Sequence, residues 1–516
     1  MSDAWNQRLG FWWIAEDHPL SLAVVASPEG PRSYSELADG AHQLVHLFRA
    51  SGAKAGDPVA ALLPNGLTMV EVSLACQEAG LLFLPLNNHL TATELAAIIE
   101  HSGTRVLVIG AAFANALAEL DTTGLALTII SVGPIEGIAE LATIRSQYPT
   151  SIPEERTPGG LFVYTSGTTG KPKGIRRALP KGSPEEAANE GALFGRAFDF
   201  RPFDGPMLIS TGMFHGGSHA YFIGALHVGH ALVILERFDA EESLRLIERH
   251  KVRSAYMVPT QFSRLLRLAP EIRAKYDVSS LHSVVHSAAP CPREVKQKMM
   301  DWWGPVVWET YGGMEGPATI AKPHRWLEKP GTVGRAIRGV RVSILDDDGH
   351  ELEAGKVGNI YIENGVGFAY HNDSAETKKV YNGNRFTIGD IGHLDADGYL
   401  FISDRAKDMI ITGGTNVYPM EIEAVLTGHP AVADVAVNGI PDADWGESVK
   451  AIVLAAPGVE TGDALAAELI AFCKTKLASY KCPRSVDFRL QLPRTEAGKL
   501  YKRQLRDEYA TMTNSA

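Results

Sequence analysis

The residues 165–174, Thr165-Ser166-Gly167-Thr168-Thr169-Gly170-Lys171-Pro172-Lys173-Gly174, concentrate the groups that grip a polyphosphate. Its glycines let the backbone turn N–H groups inward, its hydroxyls add donors, and its paired lysines add positive charge. The apolar stretch 161–164 that precedes it reads as a buried strand, so the loop leaves a strand end. The spacing is not that of a Walker loop, which needs GxxxxGK[ST]. A plain surface loop rich in Ser, Thr and Gly is the other reading of such a composition; the strand entry and the two lysines weigh against it. Further along stand single polar or charged groups: His215, Glu315, Asp390, Arg405 and Lys499. On residue type alone four of them have a plainer explanation. A histidine beside Phe214 fits a satisfied core histidine, Glu315 a solvated carboxylate, Arg405 a surface ion pair, and Lys499 an exposed charge.

The elements that must position these groups alternate. Segment 35–51 reads as a helix, with Leu37, Ala41, Leu44, Val45 and Phe48 on one face and Gly52 to end it. Then come a strand at 59–63, a helix at 67–78, a strand at 81–86, a helix at 93–101 and a strand at 105–109. The pattern resumes with a strand at 231–235, a helix at 240–249, a strand at 254–258 and a helix at 261–268. Such alternation predicts α/β layers around largely parallel sheets. From about residue 331 short β segments with turn signals take over, as in 340–345 before Asp346-Asp347-Asp348-Gly349, 359–363 before Asn364-Gly365, and 399–402 after Asp395-Ala396-Asp397-Gly398. After Ser403-Asp404-Arg405-Ala406-Lys407-Asp408 a smaller α/β pattern returns. The expectation is a large N-terminal domain (1–403) of layered α/β subdomains plus a β-rich subdomain, a hinge (404–408), and a small mobile α+β C-terminal domain (409–516).

A chain of 516 residues exceeds one ordinary core. Apolar residues at 45% and charged residues at 21% are enough to bury an interior, which excludes a disordered chain. A net charge of -11 argues against nucleic-acid binding. The cysteines Cys76, Cys291, Cys473 and Cys482 have neither disulfide nor zinc spacing, which fits reduced thiols. The N-terminus lacks a secretory pattern, no apolar run is long enough to span a bilayer, and the last residues are not a peroxisomal address. A cytoplasmic protein is the expectation, with homo-oligomerisation left open.

YTSGTTGKPKG (164–174) resembles the phosphate loop of the adenylate-forming superfamily: acyl- and aryl-CoA ligases, peptide-synthetase adenylation domains and luciferases. The resemblance runs in order over roughly residues 30–506. Met213-Phe214-His215-Gly216-Gly217 is similar to the family's aromatic–His segment beside the acyl pocket. Ser287-Ala288-Ala289-Pro290 resembles the adenine loop. In Glu309-Thr310-Tyr311-Gly312-Gly313-Met314-Glu315 the resemblance implies that Tyr311 stacks on adenine and Glu315 holds Mg²⁺, a hard cation suited to oxygen ligands. Met314 stands where the family usually has a threonine that helps hold the α-phosphate. Ile388-Gly389-Asp390 resembles the TGD segment, with Ile388 in place of Thr; Asp390 and Arg405 are implied as ribose contacts. Lys407 falls at the family's hinge, where a solvated linker lysine is the plainer reading. Gly413-Gly414-Thr415-Asn416 is implied to enter the pantetheine tunnel, and is otherwise a hairpin turn. Pro493-Arg494-Thr495-Glu496-Ala497-Gly498-Lys499 resembles the PRTxxGK signature, whose Lys499 is implied to reach carboxylate and α-phosphate.

The resemblance implies catalysis by Lys499, His215 and Thr165; ATP binding by Thr165, Ser166, Gly167, Thr168, Thr169, Gly170, Lys171, Lys173, Ala288, Ala289, Pro290, Tyr311, Gly312, Asp390 and Arg405; and an acyl pocket at Phe214, His215, Gly216, Gly217, Gly313 and Met314. The stretch 435–447, VAVNGIPDADWGE, resembles the CoA-ligase form of the small domain. It makes Gly413, Gly414 and Trp445 candidate CoA contacts; an aromatic in the small core is the other reading of Trp445. The implied function is an ATP-, Mg²⁺- and CoA-using ligase that turns a small carboxylic acid into its acyl-CoA through an acyl-adenylate. A pocket mixing small and aromatic residues without a counter-charge points to an apolar acid: fatty, aryl or bulky alicyclic, including steroid side-chain acids. An adenylating enzyme that loads a separate carrier protein is the alternative, and a non-catalytic nucleotide-binding protein a third.

Overall fold

The computed structural model describes residues 4–165, 173–405, 407–412, 415–442, 445–494 and 500–513. Ser166, Gly167, Thr168, Thr169, Gly170, Lys171, Gly413, Gly414 and Lys499 lie outside the described residues, as does the side chain of Thr165. The chain forms two compact units: residues 1–257, 267–286 and 366–379 in one, and 258–266, 287–365 and 380–516 in the other.

The first unit is α/β. One sheet runs in the order 139–140, 128–132, 106–110, 58–62, 82–85, 160–161, with every neighbouring pair parallel. Pro58–Leu62 and Val106–Gly110 are buried along their whole length. A parallel sheet is covered on both faces, so its central strands read as unbroken apolar runs. A second set of strands runs 32–33, 22–26, 232–234, 207–209, 254–257, 283–286, parallel except for the hairpin of 22–26 with 32–33.

The helices start where their caps dictate. Ser33 and Thr91 form capping boxes with Glu36 and Glu94 ahead of Tyr34–Ala50 and Ala92–Ser102, and Asp239 caps Ala240–His250. Leu67–Glu78 has its expected bounds. The helix expected at 261–268 begins two residues earlier, as Pro259–Leu266. Proline lacks the N–H that a first turn leaves unpaired, and its fixed φ suits that position.

Leu67–Glu78 is buried even at Glu71 and Glu78, and both carboxylates are compensated. Arg145 approaches Glu71 at 3.1 Å. Arg156 Nε lies 2.5 Å from Glu78, and its guanidinium sits 5.2 Å from the centre of the Trp12 ring. His42 joins with Nε2 at 3.3 Å from Glu78 and Nδ1 at 2.9 Å from the Thr150 carbonyl. The network ties helices Tyr34–Ala50 and Leu67–Glu78 to the segment 145–156.

The second unit opens with antiparallel strands in the order 307–313, 316–321, 334–336, 399–405, 390–394, 358–363, 385–386, 381–382, with 341–345 also on 358–363. This is the β-rich texture expected after residue 331. Beyond residue 409 a separate sheet runs 415–417, 410–412, 446–455, 432–442, and 485–488 pairs with 446–455 in parallel. Helices Pro419–Thr427 and Asp463–Lys474 contribute Ile422, Leu426 and Leu469 to its core with Val417, Val435 and Val449. The four cysteines are free. Among the described residues no helix is long and apolar enough to cross a membrane.

Burial disfavours a charged His42 ring, but Glu78 and the Thr150 carbonyl outweigh it and hold its pKa above the ordinary value. A raised folded-state pKa stabilises fully below the unfolded pKa and loses that contribution as pH rises through the folded value. His42→Phe is therefore expected to lower the melting temperature more at pH 5.5 than at pH 9. Equal losses at both values would show that packing alone matters there.

Candidate active site

Strand Val307–Gly313 delivers Tyr311, Gly312 and Gly313 to a tight turn at Met314-Glu315, and the chain returns as Gly316–Ala321, with Gly313 opposite Gly316. Crowding by backbone requires a glycine at Gly312. A Cβ on Gly312 would meet the Gly316 carbonyl oxygen at 2.6 Å, and one on Gly313 would run into the Glu315 carboxylate. Glu315 thus folds back over the strand end, and Ile388 Cγ2 lies 3.5 Å from the same position. The strand is anchored one turn of pleat earlier. Glu309 accepts from Lys296 Nζ at 2.7 Å, and the fully buried ammonium lies 4.8 Å from the centre of the Trp326 ring. Sequence reasoning missed Lys296, because a lysine on an amphipathic helix reads as solvated.

Asp390 opens strand Asp390–Leu394 and stands directly opposite Arg405, the last residue of Tyr399–Arg405. Arg405 Nε lies 3.2 Å from Oδ1, and the Tyr311 hydroxyl donates to Oδ2 at 2.9 Å. Burial and the Asp390 charge push the Tyr311 phenol well up, so it stays a donor. Tyr311 and Arg405 therefore meet on the carboxylate of Asp390, a residue that is 5% exposed. Gly389, in the left-handed region (φ 85), donates its N–H to Thr387 Oγ1 at 3.0 Å. Ala288 is also left-handed, at φ 72, which costs a residue with a Cβ about 1–2 kcal/mol. Ala289 and Pro290 follow it ahead of helix Arg293–Trp303.

In the first unit, Val163–Thr165 and Lys173–Arg176 are antiparallel, with Thr165 opposite Lys173 and Tyr164 opposite Gly174. They bracket the predicted phosphate loop as a hairpin. Lys173 is paired here, its Nζ 2.6 Å from Glu376 and 4.9 Å from the centre of the Tyr370 ring. Glu376, bonded to Lys173 and Lys379, is held down at about 2.

His215 caps the N-terminus of helix Gly216–His227, and its ring lies 4.3 Å from that of Phe214. Its Nε2 is buried with no hydrogen-bond partner among the described residues, so it is not a satisfied core histidine. Burial first, and His89 second, lower its pKa to about 4, which keeps the imidazole neutral. Gly217 makes room for the Tyr256 hydroxyl, 2.6 Å from where its Cβ would stand. Asn65, unmarked in the sequence reading, fixes this segment. It donates to the Thr211 and Leu235 carbonyls at 2.9 and 3.0 Å and accepts from the Met213 N–H at 2.7 Å. Only the turn signal Pro64-Asn65-Gly66 could have pointed to it.

Past Arg405, Lys407 is exposed, and Arg506 donates to its carbonyl at 3.1 Å and pairs with Asp408 at 3.0 Å. Asp404 is buried and accepts from the N–H groups of Arg405 (2.7 Å) and Met420 (2.9 Å). Burial pushes it up to about 6. Trp445 is 45% exposed, with the Arg484 guanidinium 4.2 Å from its ring centre. It is therefore not an aromatic of the small core.

Residues 11–368 match the family model of the AMP-binding enzymes, and residues 421–499 match the AMP-binding enzyme C-terminal domain. The chain is 32% identical over 500 residues to the long-chain-fatty-acid–CoA ligase FadD13 of Mycobacterium tuberculosis, covering 95% of this chain and 96% of that protein. It is also 32% identical over 512 residues to the feruloyl-CoA synthase of an Amycolatopsis species, covering 98% and 99%. The crystal structure of ATP-bound MatB from Rhodopseudomonas palustris superposes with a TM-score of 0.83 at 28% identity, over 98% of this chain and all of that one. The chain belongs to the adenylate-forming, AMP-binding enzyme family, in its acyl-CoA ligase branch.

Lys296→Met would strand the buried Glu309 charge behind Tyr311, a change that typically costs about 3–5 kcal/mol. The double variant Lys296→Met/Glu309→Leu is expected to recover most of that stability. Denaturation of both variants and of Glu309→Leu completes the cycle, and simple additivity would show that the pair is not coupled.

Proposed function

We propose that this chain is an AMP-forming acyl-CoA synthetase that acts on an apolar carboxylic acid. The observation that carries the reading is the meeting of Tyr311 and Arg405 on the buried Asp390 carboxylate, beside the turn that presents Glu315. A carboxylate offers about four acceptor positions, and Tyr311 and Arg405 take one on each oxygen. The group is thus fixed in direction and can receive a ribose diol. Tyr311 supplies a ring face for adenine, and the loop Ala288-Ala289-Pro290 lies next in the family's order. The oxygen chemistry of Glu315 fits Mg²⁺, which would offset phosphate charge when bound there.

In the first half-reaction a carboxylate oxygen of the acid attacks the α-phosphorus of ATP, the bond to the β-phosphate oxygen breaks, and pyrophosphate leaves. Attack in line needs positioning and charge neutralisation more than covalent help. Lys499 is the residue for the charge that builds on the transferring group, and the loop residues Thr165, Ser166, Thr168, Thr169 and Lys171 hold the departing phosphates. A neutral His215, with an unpaired Nε2, can donate a hydrogen bond to the acid's carboxylate. In the second half-reaction the CoA sulfur attacks the acyl carbonyl, AMP leaves, and the thiol proton goes to solvent. Gly413 and Gly414 flank the thiol's path, and the open face of Trp445 suits the CoA adenine, with Arg484 on the other. Residues 404–408 form the hinge between a 1–403 domain and a 409–516 domain, and one rotation there would serve both halves. Equal similarity to a fatty-acid and a feruloyl ligase supports an apolar acid and leaves its chain or ring form to assay.

The test is incubation with a panel of carboxylic acids, ATP and CoA, following AMP and thioester by mass spectrometry. Thioester with an apolar acid is expected. Pyrophosphate exchange without thioester would favour transfer to a carrier protein, and no exchange with any acid would overturn adenylation. Lys499→Ala is expected to lose adenylation by about 10²–10³-fold while still converting supplied acyl-adenylate to thioester. Equal loss in both halves would contradict the rotation. Trp445→Ala should raise the KM for CoA and leave pyrophosphate exchange unchanged.

A further inference from the structure

The two strand ends that bracket the phosphate loop are held by a cluster that the family resemblance does not mention. On the entering strand, Tyr164 faces Gly174, and the missing Cβ of Gly174 is what admits its ring: a Cβ there would lie 2.9 Å from Tyr164 Cζ and 2.9 Å from Phe162 Cε2. The Tyr164 hydroxyl lies 2.7 Å from Nδ1 of His101, on the last turn of helix Ala92–Ser102. Burial raises the Tyr164 phenol, so it remains protonated and able to donate to that nitrogen. On the returning strand, the Gly174 carbonyl accepts from the backbone N–H of His371 at 2.7 Å. The His371 ring packs edge-on against His101 and Phe162, with centroids 5.2 and 5.1 Å apart. Its Nε2 lies 3.2 Å from the His101 carbonyl oxygen, to which it donates when that nitrogen carries the hydrogen, and 3.2 Å from Asn372 Nδ2.

One helix end thus reaches both sides of the hairpin: the His101 side chain takes the entering strand, and the His101 carbonyl, through His371, takes the returning one. We propose that His101 and His371 are positioning residues that set the spacing of the phosphate loop's two ends, His101 through the Tyr164 hydroxyl and His371 through the Gly174 carbonyl. Neither histidine touches a reacting atom. Their effect falls on the geometry with which the chain between Thr165 and Lys173 meets the triphosphate. The inference rests on the phosphate-binding reading of that loop proposed above.

The experiment is ATP–pyrophosphate exchange by the full chain with an acid it accepts, comparing His101→Leu, Tyr164→Phe, the double variant and His101→Asn. Loss of one ordinary hydrogen bond corresponds to about fivefold. Each of the first two is expected to raise the KM for ATP by that factor and to leave the KM for the acid and thioester formation from supplied acyl-adenylate unchanged. The double variant should be no worse than either single one. His101→Asn, which sets an amide where Nδ1 stood, should recover most of the loss. An unchanged KM for ATP with only a lowered melting temperature would reduce the cluster to general support and overturn the proposal. So would additive singles, or parallel rises in KM for ATP and acid. If the unaltered chain exchanges no pyrophosphate with any acid, the phosphate-loop reading falls and this one with it. Exchange by the unaltered chain with unmoved variants sinks the positioning role alone.

Discussion

A carboxylate that is 5% exposed must be surrounded by donors, and Asp390 is the point on which this part of the candidate site is built. Its partners come from two directions. Arg405 is supplied by register, standing across the antiparallel pair from Asp390, and Tyr311 arrives from a strand of the same sheet. A slip of one residue in the pairing of 390–394 with 399–405 would turn Arg405 to the other face and leave the anion half-compensated. The pairing is irregular just there: Ile391 faces Asp404, but Gly392 faces Ile402, so Ser403 is an extra residue. Such a bulge bends its strand and re-aims side chains locally.

The same register explains the join to the C-terminal segment. Successive strand residues point to opposite faces, so with Arg405 directed at Asp390, Asp404 is directed away from it. Asp404 is buried there and accepts from the first turn of helix Pro419–Thr427 through the Met420 N–H. Two adjacent residues thus couple the Asp390 carboxylate to the start of the C-terminal core. A carboxylate at a helix N-terminus is favoured by the unpaired N–H groups, while burial opposes its charge, and the balance lies at about 6.

Much of this was legible in the sequence, and the boundary of legibility is physical. Parallel strands announce themselves as apolar runs, and Leu67–Glu78 and the capped helices begin where Ser33, Thr91 and Asp239 place them. Tyr311, Asp390 and Arg405 were named from motifs, yet nothing in their spacing says that they share one carboxylate, because that depends on the register of strands far apart in the chain. Lys296 and Asn65 were missed for a related reason. A buried lysine and a buried asparagine differ from exposed ones only in what surrounds them, here Glu309 with Trp326 and the backbone groups of Thr211, Met213 and Leu235. Trp445 had two readings that only its exposure separates.

Lys173 shows how the resting arrangement bears on the proposed chemistry. It was named as a phosphate ligand, and in the structure its ammonium rests on Glu376. Without a counter-charge the ammonium would lose solvation uncompensated where it packs against Tyr370. Glu376 supplies one negative charge and is shared with Lys379. A triphosphate brings several, with oxygens that accept hydrogen bonds as well as a carboxylate does. In the proposed chemistry Lys173 would have two attractive positions on one strand end: the carboxylate that holds it in the structure, and phosphates that would exceed it in charge. Glu376 keeps Lys379 as a partner when Lys173 leaves, so the exchange strands neither ion. In that arrangement the affinity for ATP depends on the strength of the Lys173–Glu376 pair as much as on the loop itself.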